Sequence, residues 1–314
     1  RATLTAEPVP PQSYWAVPPV PSYAPSAVPS NGPSYGQEQP GLYALPGQGA
    51  GTHDRLPARG GGGYPAGSWL DRQGGLRNLV RQELVARQLA EQLDARTGLR
   101  VLDVGCGQGT QAIRLARAGQ FVTGLDPDPV TLGAAQAALA AEPPEVRERV
   151  RLLSGDGHQC GRWFGPRSFD VVLCHGLLMY LPDPDPMLAA LARMLAPGGL
   201  LSLLVRNADA LAMRPGLTGD WRAALNAFDS SRYTNRLGLP ARADRLEDLS
   251  VTLTEISVPL SHWYGVRVFT DNTPDDAAPV DGRQLAQLLD AEERAGQQDP
   301  YRRVAALLHV FGAK

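Results

Sequence analysis

Apolar residues recur at helical spacing in GGLRNLVRQELVARQLAEQLD, where Leu76, Leu79, Val80, Leu84, Leu89 and Leu93 are separated by arginine and glutamate. This predicts an amphipathic helix. The period then changes. RVLDVG is a short apolar run ending in glycine and predicts a buried strand, TQAIRLARAG a helix stopped by Gly119, and FVTGLD a second strand. The same alternation continues through a helix in PVTLGAAQAALAA, strands in VRLLSGD and SFDVVLCHG, a helix in DPMLAALARML and a strand in GGLLSLLVRN, entered through PGG. Strands alternating with helices over about 130 residues predict parallel βαβ units in a doubly wound α/β sheet. After Asn207 the periodicity weakens. RADRLEDLSVTL and GRQLAQLLDAEERAG are expected as helices, SHWYGVRVFTD contains a strand, and PYRRVAALLHVFGAK is expected to run from a helix into a final strand, antiparallel to the rest.

Residues 1–66 follow neither period. PVPPQSYWAVPPVPSYAPSAVPSNGPSYG and RGGGGYPAG are rich in Pro, Gly, Ser and Tyr and hold too little apolar surface to offset the entropy of ordering, so a disordered tail is expected. Order is expected from near Trp69, giving one domain over 67–314. VPPVPSYAP has the composition of a polyproline II ligand, but a solvated extension is the simpler expectation.

Composition narrows the class. Thirty Lys and Arg against 32 Asp and Glu give a net charge of −2, which excludes a polycation built to coat nucleic acid. Cys106, Cys160 and Cys174 are too few and too irregularly spaced for a disulfide framework or a CxxC metal site; no bound metal is expected, and reduced thiols suit a cytoplasmic protein. No apolar run approaches the roughly 20 residues of a membrane span, and no basic region precedes a short apolar one as in a signal peptide, so no membrane partner is expected. Oligomeric state is not encoded in any recognisable pattern.

The candidate chemistry lies in VLDVGCGQGTQAIRLARAGQFVTGLDPDP. Asp103, Gly105, Gly107 and Gly109 form an alternating D-x-G-x-G-x-G, not the G-x-G-x-x-G of dinucleotide sites. A dinucleotide site sets a pyrophosphate against a helix N-terminus. A loop carrying its own carboxylate suits a ligand without phosphate and with a cationic end, and S-adenosylmethionine is such a ligand. Asp126 ends the second strand, where a carboxylate accepts hydrogen bonds from both ribose hydroxyls. Asp156 ends the third and is placed to receive the adenine amino group, and His175 follows the fourth, where the methionine end and a substrate would meet. Each has a structural alternative: the glycines as a tight turn, the aspartates as helix caps, His175 as a core histidine and Cys106 as a small packed residue.

The loop, LDPDP, GD, FDVVLCHGLLMYLPDP and LAPGGLLSLLV resemble the successive motifs of class I S-adenosylmethionine-dependent methyltransferases, over about half the chain. That resemblance implies a Rossmann-like, mostly parallel seven-stranded sheet. GGLRNLV, CHGLLMYLPDP, LLSLLVRNADALAM, GVRVFTD and QDPYRRVAALLHV are similar to the tRNA 5-carboxymethoxyuridine methyltransferase family, which methylates a carboxylate on the wobble uridine of tRNA. The resemblance implies cofactor contacts at Arg77, Gly105, Cys106, Asp126, Asp156, Gly157 and His175. An arginine at 77 is suited to a bidentate pair with the cofactor's α-carboxylate, or is simply a surface residue of its helix.

That family carries a lysine-rich stretch where this chain has SSRYTNRLGLPARADR. Arg232, Arg236, Arg242 and Arg245 with Tyr233 form a modest basic, aromatic-bearing surface for tRNA phosphates and a base, or a solvated loop. A carboxylate acceptor is ionised at neutral pH and needs no general base. It does need a cationic anchor, for which Arg206 and Arg267 are the candidates, beside Asn207 and Tyr264. An alcohol or phenol would instead need a base, and His175 is the candidate. Three readings stand open: a tRNA carboxyl methyltransferase, a small-molecule O- or N-methyltransferase, and a non-catalytic cofactor-binding scaffold.

Overall fold

The strand order of the main sheet already places the site. A computed structural model of the chain describes residues 75–236, 238–274, 277 and 282–314. The proline-rich tail and Trp69 lie outside these. Nine strands are described: β1 (Arg100–Val104), β2 (Phe121–Asp126), β3 (Val150–Ser154), β4 (Phe169–His175), β5 (Leu195–Arg206), β6 (Arg232–Thr234), β7 (Pro240–Arg242), β8 (Leu260–Val266) and β9 (Leu307–Ala313). Seven of them make one sheet in the order β3-β2-β1-β4-β5-β9-β8, parallel except that β9 runs antiparallel to both β5 and β8. Chain direction through the first five strands reverses its lateral progress between β1 and β4, which opens a crevice beyond their carboxyl ends.

Helices cover both faces. On one side α1 (Leu76–Leu93), α2 (Thr110–Arg117) and α10 (Gly282–Gln297) bury Val80, Leu84, Leu89, Ala112, Leu115 and Leu289 against Val101, Leu173 and Phe311. On the other, α6 (Asp185–Met194) and α9 (Leu246–Glu255) bury Met187, Leu188, Leu191, Leu249 and Leu253 against Leu102, Val172 and Leu203. Each of these side chains larger than alanine contributes about 1.5–3 kcal/mol on burial. Val101 and Leu102 face opposite layers because successive side chains of a strand alternate. The helix α3 (Pro129–Ala140) starts at Asp128, whose carboxylate accepts from the Val130 and Thr131 N–H groups.

The C-terminal third departs from expectation in two places. PYRRV is a single 3₁₀ turn (Tyr301–Val304), and the strand begins only at Leu307, so the expected helix is absent there. Within SSRYTNRLGLPARADR, read as a basic, aromatic-bearing surface or a solvated loop, β6 and β7 form an antiparallel pair joining Arg232 to Arg242 and Tyr233 to Ala241. Short helices α4 (Pro144–Arg147), α5 (Cys160–Trp163), α7 (Met213–Leu217) and α8 (Trp221–Asp229) also lacked a period long enough to read. Among the described residues, no helix is long and apolar enough to cross a membrane.

Candidate active site

Five parallel strands deliver their C-terminal residues to one edge. Gly105, Gly107 and Gly109 take φ of +73°, +54° and +77°, a left-handed backbone that side chains resist and that lets the chain after β1 turn tightly into α2. Asp126 clamps that turn from β2. Its Oδ2 accepts from the Gly107 N–H at 2.8 Å, and its Oδ1 accepts from the Asp128 N–H at 3.0 Å and the Thr131 hydroxyl at 3.1 Å. A carboxylate offers roughly four acceptor directions. Three donors from the fold therefore leave space for about one more, fewer than the two ribose hydroxyls expected.

Asp103 is the unusual group of the loop. It is 3% exposed, and its carboxylate has no hydrogen-bond or ion-pair partner among the described residues. Burial, reinforced by the neighbouring charge of Asp126, pushes its pKa up to about 7. A buried carboxylate without a cation is costly, and either a proton or a positively charged ligand relieves that cost. Around it lies a small cavity of about 60 Å³, lined by Arg81, Asp103, Gly105, Cys106, Gly107, Thr110, Gln111 and His175. The residues present thus fit S-adenosylmethionine: an unpaired carboxylate for its ammonium and sulfonium, and open glycine backbone for close approach.

The other expected contacts fall less uniformly. Asp156 is exposed and its Oδ1 accepts from the His158 N–H at 2.9 Å, capping a 3₁₀ turn (Gly157–Gln159). Gly157 is buried, and a Cβ there would meet Val104 Cγ1 at 2.4 Å, so packing alone requires a glycine. Cys106 presses against β2, where a Cβ on Gly124 would meet its Sγ at 2.9 Å. Burial, with Asp103 and Asp126 nearby, raises its thiol pKa far above the ordinary range and makes it an inert packing group. His175 hydrogen-bonds Ser202 Oγ through Nε2 at 2.9 Å, and burial followed by the charge of Arg81 lowers its pKa to about 3. Burial and Arg81 thus favour the neutral ring, with Nε2 engaged by Ser202.

A second, larger cavity of about 1120 Å³ adjoins the first, with Arg81 in the wall of both. Among the described residues, eight arginines line it (Arg77, Arg81, Arg206, Arg214, Arg232, Arg236, Arg242, Arg267) against one acid, Asp220. Antiparallel pairing of β9 sets Arg206, Leu307 and Val266 in one row, which brings Arg267, just after β8, to the same edge as Arg206. Arg267 adopts a left-handed φ of +62°, a strained backbone for a residue with a Cβ. Behind the arginines, Asp271 gathers Arg206 at 3.2 Å, Arg267 at 3.2 Å and Arg77 at 3.7 Å. Burial opposes its charge, but Arg267, Arg206 and Arg77 outweigh that and hold its carboxyl below the usual range. The Nε atoms of Arg206 and Arg267 are buried without a hydrogen-bond partner among the described residues. Burial, only partly offset by Asp271, lowers the pKa of Arg267, and burial with Arg267 nearby lowers that of Arg81 to about 10.

Arg232, Tyr233, Arg236 and Arg242 all line this cavity, whereas Arg245 lies outside its lining, half exposed and paired with Asp209. Tyr264 and Asn207 turn into the core instead: Tyr264 is fully buried and accepts from Gln92, and Asn207 donates to the Arg303 and Ala305 carbonyls. Sequence reasoning missed Arg81, Asp271 and Glu292. The Glu292 carboxylate, fully buried on α10, accepts from the N–H groups of Val268, Phe269 and Thr270 and from the Thr270 hydroxyl, at 2.6–3.1 Å. It thereby fixes the turn between Arg267 and Asp271. Glu292→Ala is expected to cost about 3 kcal/mol by orphaning those donors, read as a fall in the thermal unfolding midpoint.

Residues 101–199 match the family model of a methyltransferase domain. The ubiquinone biosynthesis O-methyltransferase of Xanthomonas euvesicatoria is 33% identical over 198 residues, spanning 61% of this chain and 79% of that one. The chain belongs to the S-adenosylmethionine-dependent methyltransferases. The tRNA 5-carboxymethoxyuridine methyltransferase of Escherichia coli K12 is 28% identical to this methyltransferase over 251 residues, covering 77% of this chain and 89% of the relative. Matches to other ubiquinone biosynthesis O-methyltransferases are shorter: the one from Paracidovorax citrulli is 40% identical but the chain spans only 48% of its length, and the one from Klebsiella pneumoniae strain 342 only 60%. In fold the methyltransferase is similar to magnesium protoporphyrin IX methyltransferase from Synechocystis, solved with bound SAH, at a TM-score of 0.50 and 17% identity over 78% of this chain and 92% of that one.

Proposed function

We propose that this chain methylates a carboxylate, forming a methyl ester, and that the carboxylate is carried by the wobble uridine of a tRNA. The observation that carries the reading is the arginine-lined cavity adjoining the glycine loop, with Arg81 between them. Bound S-adenosylmethionine would supply a methyl group on a sulfonium, open to in-line attack. The residues of this chain supply placement. Asp103 would hold the cationic end of the cofactor, and the turn clamped by Asp126 would hold its ribose. Arg206 and Arg267 would bind the acceptor carboxylate and fix which oxygen faces the methyl carbon, since a guanidinium fork imposes direction as well as charge. No group need remove a proton, which agrees with the low basicity of His175. Arg232, Arg236, Arg242 and Tyr233 at the same cavity suit phosphates and a stacked base.

A second reading has one observation in its favour. Relatives named ubiquinone biosynthesis O-methyltransferase, among them the one from Xanthomonas euvesicatoria at 33% identity over 198 residues, support a small-molecule acceptor. The test is methyl transfer to a tRNA bearing 5-carboxymethoxyuridine, compared with small carboxylic acids and phenols, at several salt concentrations. The tRNA reading expects turnover only on the modified tRNA and an affinity that falls steeply as salt rises. Turnover of a phenol with salt-independent affinity would overturn it in favour of the small-molecule reading.

A further inference from the structure

Behind the glycine loop the fold buries a polar chain that carboxylate methylation leaves unused. Gln88 Oε1 lies 2.7 Å from His309 Nδ1, His309 Nε2 lies 2.8 Å from Ser202 Oγ, and Ser202 Oγ lies 2.9 Å from His175 Nε2. Gln88 is 1% exposed, and Ser202 and His309 are fully buried. The sheet register builds the line: His175, Leu204 and His309 sit side by side across β4, β5 and β9, and Ser202 lies two residues earlier on the Leu204 face. The two imidazoles pack edge to face, with centroids 5.2 Å apart.

With the Gln88 amide oxygen facing His309, as here, hydrogen bonding allows one proton order, and a flipped amide would reverse it. The Gln88 carbonyl oxygen accepts only, so His309 carries its proton on Nδ1 and leaves Nε2 bare. Nε2 accepts from the Ser202 hydroxyl, whose oxygen in turn accepts from Nε2–H of His175. The remaining nitrogen of His175, Nδ1, then carries no proton, and it has no hydrogen-bond partner among the described residues. His175 lines the small cavity with Asp103 and the loop glycines. Burial holds both rings neutral, with Arg81 adding to the effect on His175 and His175 to that on His309. The Gln88 Nε2 is buried without a partner, a cost that an apolar side chain of the same volume would avoid.

We infer that Gln88, His309 and Ser202 are positioning residues that order the protons along this chain, so that His175 presents a bare Nδ1 acceptor to the cavity beside the glycine loop. Gln88 thus acts on the site from α1, through two side chains. A protonated Nδ1 would instead present a donor to a cationic ligand. That the acceptor meets the ammonium group of S-adenosylmethionine rests on the cofactor placement proposed above; the tautomer does not depend on it.

The experiment is ring ¹⁵N–¹H correlation spectroscopy of histidine-labelled, full-length, ligand-free protein between about pH 5 and 8, where an ordinary histidine titrates. The wild-type His175 ring is expected to show a protonated Nε2 and a bare Nδ1 across the range. Ser202→Ala removes the buried acceptor of Nε2–H, so the proton should move to Nδ1, where the cavity admits water. Gln88→Met touches neither ring nitrogen of His175 and should nonetheless give it a mixture of tautomers, an effect that a packing role does not produce. A wild-type His175 with a protonated Nδ1 or a titrating imidazolium overturns the inference, as does an unchanged ring pattern in both folded variants. Calorimetric titration of S-adenosylmethionine tests the link to the cofactor: Ser202→Ala should bind about tenfold more weakly, the loss of one hydrogen bond. Wild-type affinity alongside a shifted tautomer overturns that link and leaves the proton order standing.

Discussion

Replacing Asp103 with asparagine is expected to weaken S-adenosylmethionine binding by about 10- to 100-fold, the worth of a charge-assisted contact, while stabilising the ligand-free protein. The two effects share one cause. Asp103 is a nearly fully buried carboxylate with no cation among the described residues, and its pKa is raised from 3.8 to about 7. Its folded state therefore holds a proton that the unfolded chain releases near pH 4. Between these values the folded state binds more protons than the unfolded one, so this group's contribution to stability falls as pH rises from about 4 to about 7 and is least favourable above. Asparagine is neutral throughout and removes that penalty. A cationic ligand has the opposite interest: it needs the carboxylate ionised, so wild-type affinity should decline as pH falls below about 7, by at most tenfold per unit from this group. Calorimetric titration from acid to mildly alkaline pH, with a parallel series of thermal melts, reads both. A D103N protein that binds the cofactor with wild-type affinity would remove Asp103 from the cofactor site.

The second large effect is expected at the arginine pair. Arg206→Lys and Arg267→Lys keep the positive charge opposite Asp271 but lose the planar fork, and each should raise KM for a carboxylate acceptor about 10- to 100-fold with cofactor affinity unchanged. Lysine is the informative replacement. Removing either charge outright would strip a partner from Asp271, and breaking a buried pair costs about 3–5 kcal/mol, which would confound binding with stability. A KM effect with constant cofactor affinity separates acceptor binding from site collapse. Loss of cofactor affinity in the lysine variants would instead place these arginines against S-adenosylmethionine and sink their assignment as the acceptor anchor.

The alternation of apolar strands and the longer amphipathic helices from Leu76 to Arg206 was legible because each of these elements carries its own period, as the short α4 and α5 do not: Val80, Leu84 and Leu89 are buried as the helical spacing requires, and RVLDVG forms β1. The glycine loop was legible because left-handed backbone at Gly105, Gly107 and Gly109 is a local demand with a local answer. Tyr301–Val304 was not, since a helical-looking stretch shortened to one 3₁₀ turn answers to the pairing of β9 with β5 and β8, which no local window contains.

By itself, the sequence determined the doubly wound domain and the glycine-rich turn after its first strand, because backbone preference and hydrophobic period act over a few neighbouring residues. Only the tertiary structure decided what the side chains face. Arg206 and Arg267 are 61 positions apart and meet because β9 inserts between their strands. Asp271 serves three of the arginines, and Glu292 holds its turn from a helix 21 residues further on. Gln88, Ser202, His175 and His309 come from four separate elements and share one line of hydrogen bonds. Charge and proton placement depend on burial and on partners within a few ångströms, and those are properties of chain segments brought together by the sheet, not of their spacing along the chain.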